Sequence, residues 1–553
     1  MHPRYGRRGA VVSPHHLASE AGLGILRAGG NAVDAALATN ASLAVVAAHS
    51  CGLGGDAFCL IWDGTELTAL NGSGRAGSAA TLESAQAANG DRLPMRGPWT
   101  VTVPGAVRSW GDAHARYGRL AWPELLAPAI ELAEGFPAGW QWIASVERGL
   151  SAFGADSDWA RAFRPHGRPW HPGEVVVVPG LAATLRTIAA DGPGAAYEGA
   201  LAVRAAEYLG SHGVPIHPSD LAEHMSTWTT PIRTTYRGAE ATSHGPNSCG
   251  TIALQLLNVL DRFEAPAPEA FDAHGVADAA WVHLGLEAAR ATLAERERWL
   301  TDPEVMAPGS LEAMLSPARA AELAAGIDRR HAPPPVPLDG PAGGGTAYLA
   351  TADRWGGVVS LIESNYMGFG SGLVDPETGI GYQNRGASFS LAPTHVNVLA
   401  PHKRPMHTLS PGMLFRDGRP WVVHGSMGGE IQPQIFAQVV SALVDGGLDV
   451  ASAVAAPRWA ADMPDHHAPA SLTVIETRYH PEVVEGLRAR GHDVTQRSGF
   501  DPGMGHAHAI ELLHEAESAA EGVESASEGA EPRAPTGFAA ATDPRSEGAP
   551  AVW

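Results

Sequence analysis

The sequence predicts an α+β fold, and three observations carry that prediction. Residues 105 to 330 read mainly as helices, joined by connections rich in Pro and Gly. Residues 346 to 364 read as two apolar strands around a turn. From residue 412 to residue 541 short strands recur around one amphipathic helix. With 553 residues, 44% of them hydrophobic, the chain can bury a substantial core, as several domains or one large layered one.

Taken in order, Ser13 and Ser19 bracket a helix start, with Ala18, Ala21, Leu23, Ile25 and Leu26 at apolar positions. Gly29-Gly30 stops that helix, and Asn31 caps the next with Asp34 at its third position. The second helix, Ala32 to about Val46, is apolar on most sides, so it is expected to be buried. Gly52-Leu53-Gly54-Gly55-Asp56 precedes the apolar run Ala57 to Trp62. A dinucleotide-binding loop opens a helix; this one precedes a strand, so it reads as a tight turn. Further helices are expected over Trp122 to Glu134, Leu181 to Ala190, Leu201 to Leu209, Thr251 to Arg262, Val276 to Leu300 and Leu311 to Ala325.

A Pro-rich tether, His331 to Pro337, then leads to Gly343-Gly344-Gly345. Thr346 opens a strand to Ala352, Asp353 to Gly357 form a turn, and Val358 to Ser364 return. Pairing Asp353 with Val358 puts Thr346 opposite Asn365. A shift of one residue, as at a bulge, puts it opposite Ser364.

Gly379 to Gly386 reads as a strand leading to a loop with Ser388. Gly412 to Phe415 and Pro420 to His424 read as strands around Asp417-Gly418. Gly425-Ser426-Met427-Gly428-Gly429 joins a strand to a helix with Pro433 in its first turn, and free N–H groups at such a junction favour an anion. His506-Ala507-His508 fits alternate strand residues and has no acidic partner at metal spacing, so no metal is expected. Residues 511 to 535 form an acidic low-complexity insertion, expected to be disordered, between strands at 507–510 and 537–541.

The Thr346 arrangement suits one chemistry. A Thr hydroxyl is a weak nucleophile until a base takes its proton. Cleavage between Gly345 and Thr346 would give Thr346 a free α-amine, with a reference pKa of roughly 7.7–8.0 against about 10.4 for Lys. Base catalysis of this kind is worth roughly 10²–10⁴ in rate. Gly345 has no Cβ to hinder the hydroxyl from reaching its carbonyl. The alternative is a flexible loop entering an ordinary hairpin.

A net charge of −21 argues against nucleic acid and anionic membrane as partners. The first eight residues have no apolar segment behind their charges, and no run of about 18 apolar residues occurs, so a cytoplasmic protein without a membrane span is expected. Cys51, Cys59 and Cys249 are odd in number and lack metal spacing, which fits structural thiols.

Several motifs together resemble the γ-glutamyltransferases. They are Gly345-Thr346, Val359-Ser360, Ser364-Asn365, Gly368-Phe369-Gly370-Ser371-Gly372, Lys403-Arg404-Pro405 and Gly425-Ser426-Met427-Gly428-Gly429, in the family's order. The likeness runs from about Ala10 to Ser546. It implies an N-terminal-nucleophile hydrolase with a four-layer αββα sandwich, made as a proenzyme that cuts itself before Thr346. Residues 1–345 would be the large subunit and 346–553 the small one, interlocked as one domain.

The resemblance also implies roles. Thr346 attacks an amide carbonyl with its α-amine as base, Ser364 orients it, and Gly428 and Gly429 hold the oxyanion. The acyl group of a γ-glutamyl donor such as glutathione passes to water or an acceptor amine, without metal or organic cofactor. Two alternatives stand beside this. One is an amidohydrolase or acylase with the same machinery. The other is an uncleaved, non-enzymatic binding protein, against which Thr346 behind Gly345 and the Gly428-Gly429 pair argue.

The substrate pocket departs from the family. Its carboxylate-binding Arg position falls on Leu82, leaving Arg75 as a nearby substitute. The ammonium-binding acid falls on Ser388, the flanking amides on Tyr366 and Arg385, and a Ser-Ser pair on His407-Thr408; Asn365 could replace a missing partner. An Arg in place of a neutral amide repels an ammonium and attracts a carboxylate, by roughly 4 kcal/mol at about 4 Å and an effective dielectric near 20, before desolvation. The expected donor is therefore a small acidic acyl amide without an α-amino group, such as an oxamate-like or dicarboxylic monoamide.

Overall fold

The computed structural model describes residues 2–268, 271–334, 344–465, 468–514 and 534–553. The end of the Pro-rich tether (residues 335–337), Gly343, and residues 515–533 of the acidic insertion lie outside the described residues.

Two seven-stranded antiparallel sheets dominate. Their strands, in chain order, are β1 (Arg4–Gly6), β2 (Gly9–Val12), β3 (Asp56–Trp62), β4 (Leu67–Gly72), β5 (Thr227–Thr229), β6 (Ile232–Tyr236), β7 (Ala239–Ser243), β8 (Gly345–Asp353), β9 (Val358–Tyr366), β10 (Gly412–Arg416), β11 (Arg419–Met427), β12 (His506–Leu513), β13 (Gly537–Thr542) and β14 (Ala551–Val552). The first sheet runs β14-β2-β8-β9-β3-β4-β5, and the second β1-β13-β12-β11-β10-β7-β6.

Side-chain alternation turns each sheet into a two-faced layer. On the inner faces Phe58, Tyr348 and Ile362 of the first sheet meet Met413, Val423 and Ile510 of the second. Ala57, Leu349 and Leu361 point the other way, onto helices α1 (His16–Arg27), α2 (Ala32–Val46) and α3 (Trp122–Glu134). The outer face of the second sheet, with Ala241, Leu414, Val422 and Ala509, packs on α4 (Gly250–Leu260), α5 (Ala279–Trp299) and α6 (Gln432–Val444). The result is helices, sheet, sheet, helices: a four-layer αββα sandwich.

Local signals explain the elements nearest the site. α2 starts where Asn31 and Asp34 form a capping box, and all fifteen of its residues are buried. The β8–β9 turn is shaped by Asp353, whose Oδ1 accepts N–H bonds from Trp355 at 2.8 Å and Gly357 at 3.0 Å. Its Oδ2 accepts from Ala32 N at 2.8 Å, tying the turn to the first residue of α2. Gly356 takes φ +90°, as a three-residue hairpin requires. Asp353 thus bonds Gly357 across the turn. This moves the register by one residue at the turn, so that Thr346 pairs with Ser364, while a bulge lies one step further on, between Gly345 and Thr346.

Three expectations change. The helix expected over 311–325 is two, Ser310–Leu315 and Pro317–Ala325, because Ser316 ends one and caps the next ahead of Pro317. Residues 379–386 are not a strand; an isolated Val374–Gly381 bridge is followed by a 3-10 turn at Arg385–Ser388. Helices Ala106–Tyr117 and Trp140–Phe153 appear where none is expected. Each starts at a glycine that offers no side-chain cap and carries another glycine inside, which removes the usual signals. The three cysteines are buried free thiols, and no helix among the described residues is long and apolar enough to cross a membrane.

Candidate active site

β8 enters its sheet through close backbone contacts. A Cβ on Gly345 would lie 2.6 Å from the Met367 carbonyl oxygen, and one on Gly344 2.9 Å from Gly429 N. Only glycine fits either position without a shift. Thr346 follows on the face between the sheets, 2% exposed, with its Oγ1 2.9 Å from Ser364 Oγ.

Ser364 Oγ also lies 2.8 Å from the Gly345 carbonyl oxygen. It accepts N–H bonds from Tyr366 at 2.8 Å and Arg385 Nη2 at 3.2 Å. A hydroxyl offers one proton and two lone pairs. The two N–H donors occupy the lone pairs, so the serine proton goes to the Gly345 carbonyl or to Thr346. The first arrangement polarises the Gly345–Thr346 bond; the second orients the threonine oxygen.

Arg385 is buried under this pair, 1% exposed. Its Nη1 donates to Thr408 Oγ1 at 3.4 Å, its guanidinium lies 4.1 Å from the centre of the Tyr366 ring, and its Nε has no acceptor. Among the described residues no carboxylate comes within ion-pairing distance of it.

Sequence reasoning missed Asp56. Ser364 pairs with Asp56 across β9 and β3, so Thr346, Ser364 and Asp56 form one row on the inner face. Asp56 Oδ1 accepts from Gly74 N at 2.9 Å; Oδ2 has no hydrogen bond and lies 3.4 Å from His407 Nε2. Burial raises the Asp56 carboxyl to about 7, against the pull of Arg385 and Arg404. Burial, helped by Arg385, Arg404 and His244, pushes His407 well below the usual histidine range. The neutral imidazole makes this a close contact rather than an ion pair. The available signal was parity: Asp56 shares its face with Phe58 and Leu60 in a strand otherwise apolar.

The other expected pocket residues divide. His407 and Thr408 are held by the loop before α4, through His407 N to Asn247 O at 2.8 Å and Cys249 N to His407 O at 2.7 Å. Ser388 Oγ lies 2.9 Å from the carbonyl oxygens of Arg385 and Met406 and steadies the turn that carries Arg385. Asn365 follows Ser364 and so faces the opposite side of the sheet, with Nδ2 3.4 Å from Ala48 O. Arg75 is engaged by Glu304, Asp302 and the His402 carbonyl, and among the described residues no hydrogen bond joins it or Asn365 to Thr346.

Gly428 and Gly429 stand where β11 ends and a 3-10 turn leads into α6. Gly429 has φ +56°, a left-handed value suited to glycine. N–H groups at the start of such a turn have no intrahelical acceptor. The Gly344 contact sets them beside the residue that precedes the Gly345–Thr346 bond. A cavity of about 480 Å³ opens here, lined in part by Gly344, Gly428, Arg96 and Arg148, with Asp501 its one carboxylate among the described lining residues. His506 also lines it, while His508 Nδ1 accepts from Asp543 N at 3.2 Å. Burial lowers the first histidine to about 3 and the second to about 4, so both are neutral.

The family model for gamma-glutamyltranspeptidase matches residues 18–553. A glutathione hydrolase-like YwrD proenzyme of Bacillus subtilis is 37% identical over 92% of this chain and 95% of its own length. An oxamate amidohydrolase proenzyme of Klebsiella pneumoniae is 36% identical over 99% of this chain and 98% of its own. Among solved structures, cephalosporin acylase from Bacillus halodurans superposes with a TM-score of 0.88 at 35% identity, covering 100% of this chain and 97% of that one.

Proposed function

Because the chain belongs to the gamma-glutamyltranspeptidase family, we propose that it is a self-processing threonine amidohydrolase whose preferred acyl donor carries a carboxylate and no α-amino group. In processing, Thr346 Oγ1 attacks the Gly345 carbonyl carbon. The C–O bond forms, the C–N bond breaks to the Thr346 amine, and water then hydrolyses the ester to leave a Gly345 carboxylate. Removal of the Gly344–Gly345 segment frees the Gly429 N–H that Gly344 abuts, with the Gly428 N–H one residue away. In turnover the same oxygen attacks a substrate amide, the Thr346 α-amine takes the proton, and those N–H groups face the developing oxyanion. The amine leaves, and water or an acceptor amine resolves the acyl-enzyme.

The observation that carries the substrate reading is Arg385. A buried guanidinium touching Ser364, with no carboxylate in ion-pairing range, is held at a cost of several kcal/mol. A substrate carboxylate offsets that cost. The cationic lining of the adjoining cavity acts in the same direction, and the oxamate amidohydrolase likeness agrees with it. One observation favours a γ-glutamyl donor instead: Asp56 keeps one oxygen free for an ammonium. Its raised pKa leaves that carboxyl partly protonated near neutrality.

The experiment compares kcat/KM for glutaryl-p-nitroanilide and γ-glutamyl-p-nitroanilide, and follows ammonia release from oxamate. The expected result is a preference for the des-amino compounds that Arg385→Gln removes. A strong preference for the γ-glutamyl compound, unchanged by Arg385→Gln and abolished by Asp56→Asn, would establish the second reading.

A further inference from the structure

Away from the nucleophile, three metal-binding side-chain types converge in the outer helical layer. His283 and Glu287 are four residues apart on α5 and share a face of that helix. His492 follows the helix Pro481–Ala489. One ligand atom from each lies within 4.8 Å of the others, and all three residues are buried. No sequence spacing announces the site, since the histidines are 209 residues apart.

The hydrogen bonds orient these groups. His283 Nε2 lies 2.8 Å from the Asp328 carbonyl oxygen, which can only accept, so Nε2 carries the proton. His283 Nδ1 therefore presents its lone pair to His492 Nε2, 2.7 Å away. A backbone carbonyl behind the far nitrogen is the usual support of a metal-bound imidazole. His492 Nδ1 lies 3.4 Å from Arg290 Nη1, which can only donate, and 3.3 Å from Thr473 Oγ1; a metal on Nε2 moves the ring proton to Nδ1, where Thr473 Oγ1 accepts it in place of the Arg290 contact. Glu287 Oε1 bonds Arg290, which leaves Oε2. Arg290 also bonds Asp462. Glu287, Asp462 and Asp328 thus set three carboxylates against Arg290 and Arg490, and burial lowers the pKa of both imidazoles, His492 to about 3.

We propose that His283 Nδ1, His492 Nε2 and a Glu287 carboxylate oxygen bind a zinc-like divalent cation. Two imidazoles and a carboxylate are a ligand set zinc accepts, with a fourth position for water. Glu287 also lines a groove of about 600 Å³ with Arg290, Asp328 and His331, which offers an entry path to it. Tetrahedral bonds of about 2.0–2.1 Å separate neighbouring ligands by roughly 3.4 Å. The histidines must part by less than about 1 Å, within reach of side-chain rotation. Bound metal would join α5 to the segment around His492. Through Asp328, and through Ala332 N, which donates to Arg490 O at 2.7 Å, it would also fix the base of the tether ahead of Thr346.

The test strips the full-length protein with chelator and titrates it with zinc, measuring bound metal per chain and the thermal midpoint; cobalt substitution adds a visible spectrum. Wild type and the Thr346→Ala variant are expected to bind one zinc and to gain thermal stability. His492→Ala and the near-isosteric Glu287→Gln should weaken binding at least about tenfold. If His492→Ala fails to fold, Glu287→Gln carries the comparison. A wild-type chain that takes up no zinc at micromolar free metal, or variants that hold it as tightly as wild type, overturns the proposal.

Discussion

Ser364 has one proton for two oxygens, the Gly345 carbonyl and Thr346 Oγ1, and in the proposed mechanism it serves the first before cleavage and the second after it. Ser364→Ala should therefore slow both maturation and turnover while the chain still folds. A hydrogen bond to a group that becomes charged is worth about 1.5–3 kcal/mol, so each rate should fall roughly tenfold to a hundredfold. Gel densitometry of the uncut chain and kcat on the matured fraction check the two effects separately. A second expectation concerns acidity. Burial holds the Asp56 carboxyl at about 7 and the Glu363 carboxyl at about 8, against ordinary values of 3.8 and 4.5. Between the ordinary and the raised value the unfolded chain has released a proton that the folded chain keeps, so stability falls as pH rises through that window. Asp56→Asn and Glu363→Gln should raise the urea midpoint at pH 8 and leave it unchanged at pH 4; an equal gain at both pH values would refute the assignment. That Thr346 and Ser364 lie side by side was legible in the sequence, because one hairpin holds both, whereas Gly428-Gly429 was singled out by the resemblance. Asp56 was not, because its position comes from a neighbouring strand some three hundred residues away. Asn365 had to leave the pocket once the register chose Ser364, since adjacent strand residues face opposite ways.

Among the elements, the start of β8 has the least room. Gly345→Ala is expected to leave Thr346 intact yet block processing, because its Cβ would displace either the Met367–Gly368 peptide or the strand itself. Gly344→Ala should press on Gly429 and slow processing as well. Gly24→Ala, on α1 with nothing within 4 Å of the added carbon, is the control and should mature normally. Mass spectrometry of the purified variants gives the cut and uncut fractions; normal cutting of Gly345→Ala would show that the strand can move. The sequence marked elements clearly where a polar cap or a turn acid declared them, as with α2 and the β8–β9 hairpin. It was silent where the start was a bare glycine, as with Ala106–Tyr117 and Trp140–Phe153. It was silent too for β6 and β7, a short hairpin set among helices, whose place in the sheet comes from β7 pairing with the distant β10.

At the scale of the molecule, both sheets mix strands from either side of Thr346. In the first, β2 lies between β14 and β8; in the second, β1 is bonded to β13 and β7 to β10. The two pieces made by processing should therefore elute as one particle in gel filtration and separate only in denaturant. Elution as two species would contradict the interlock. The layer order is read from three core clusters, and the sequence held the alternation that builds them but not the order of strands, which long-range pairing decides. That interleaving also gives the mature protein a history it cannot repeat. The uncut chain refolds as a single molecule, at a rate independent of dilution. Once the peptide bond is gone, the same structure must form from two partners that first have to meet, and diluting the mixture tenfold should slow its recovery about tenfold. The matured form would then survive by the slowness of its unfolding, long after any route back from the unfolded state had become inefficient.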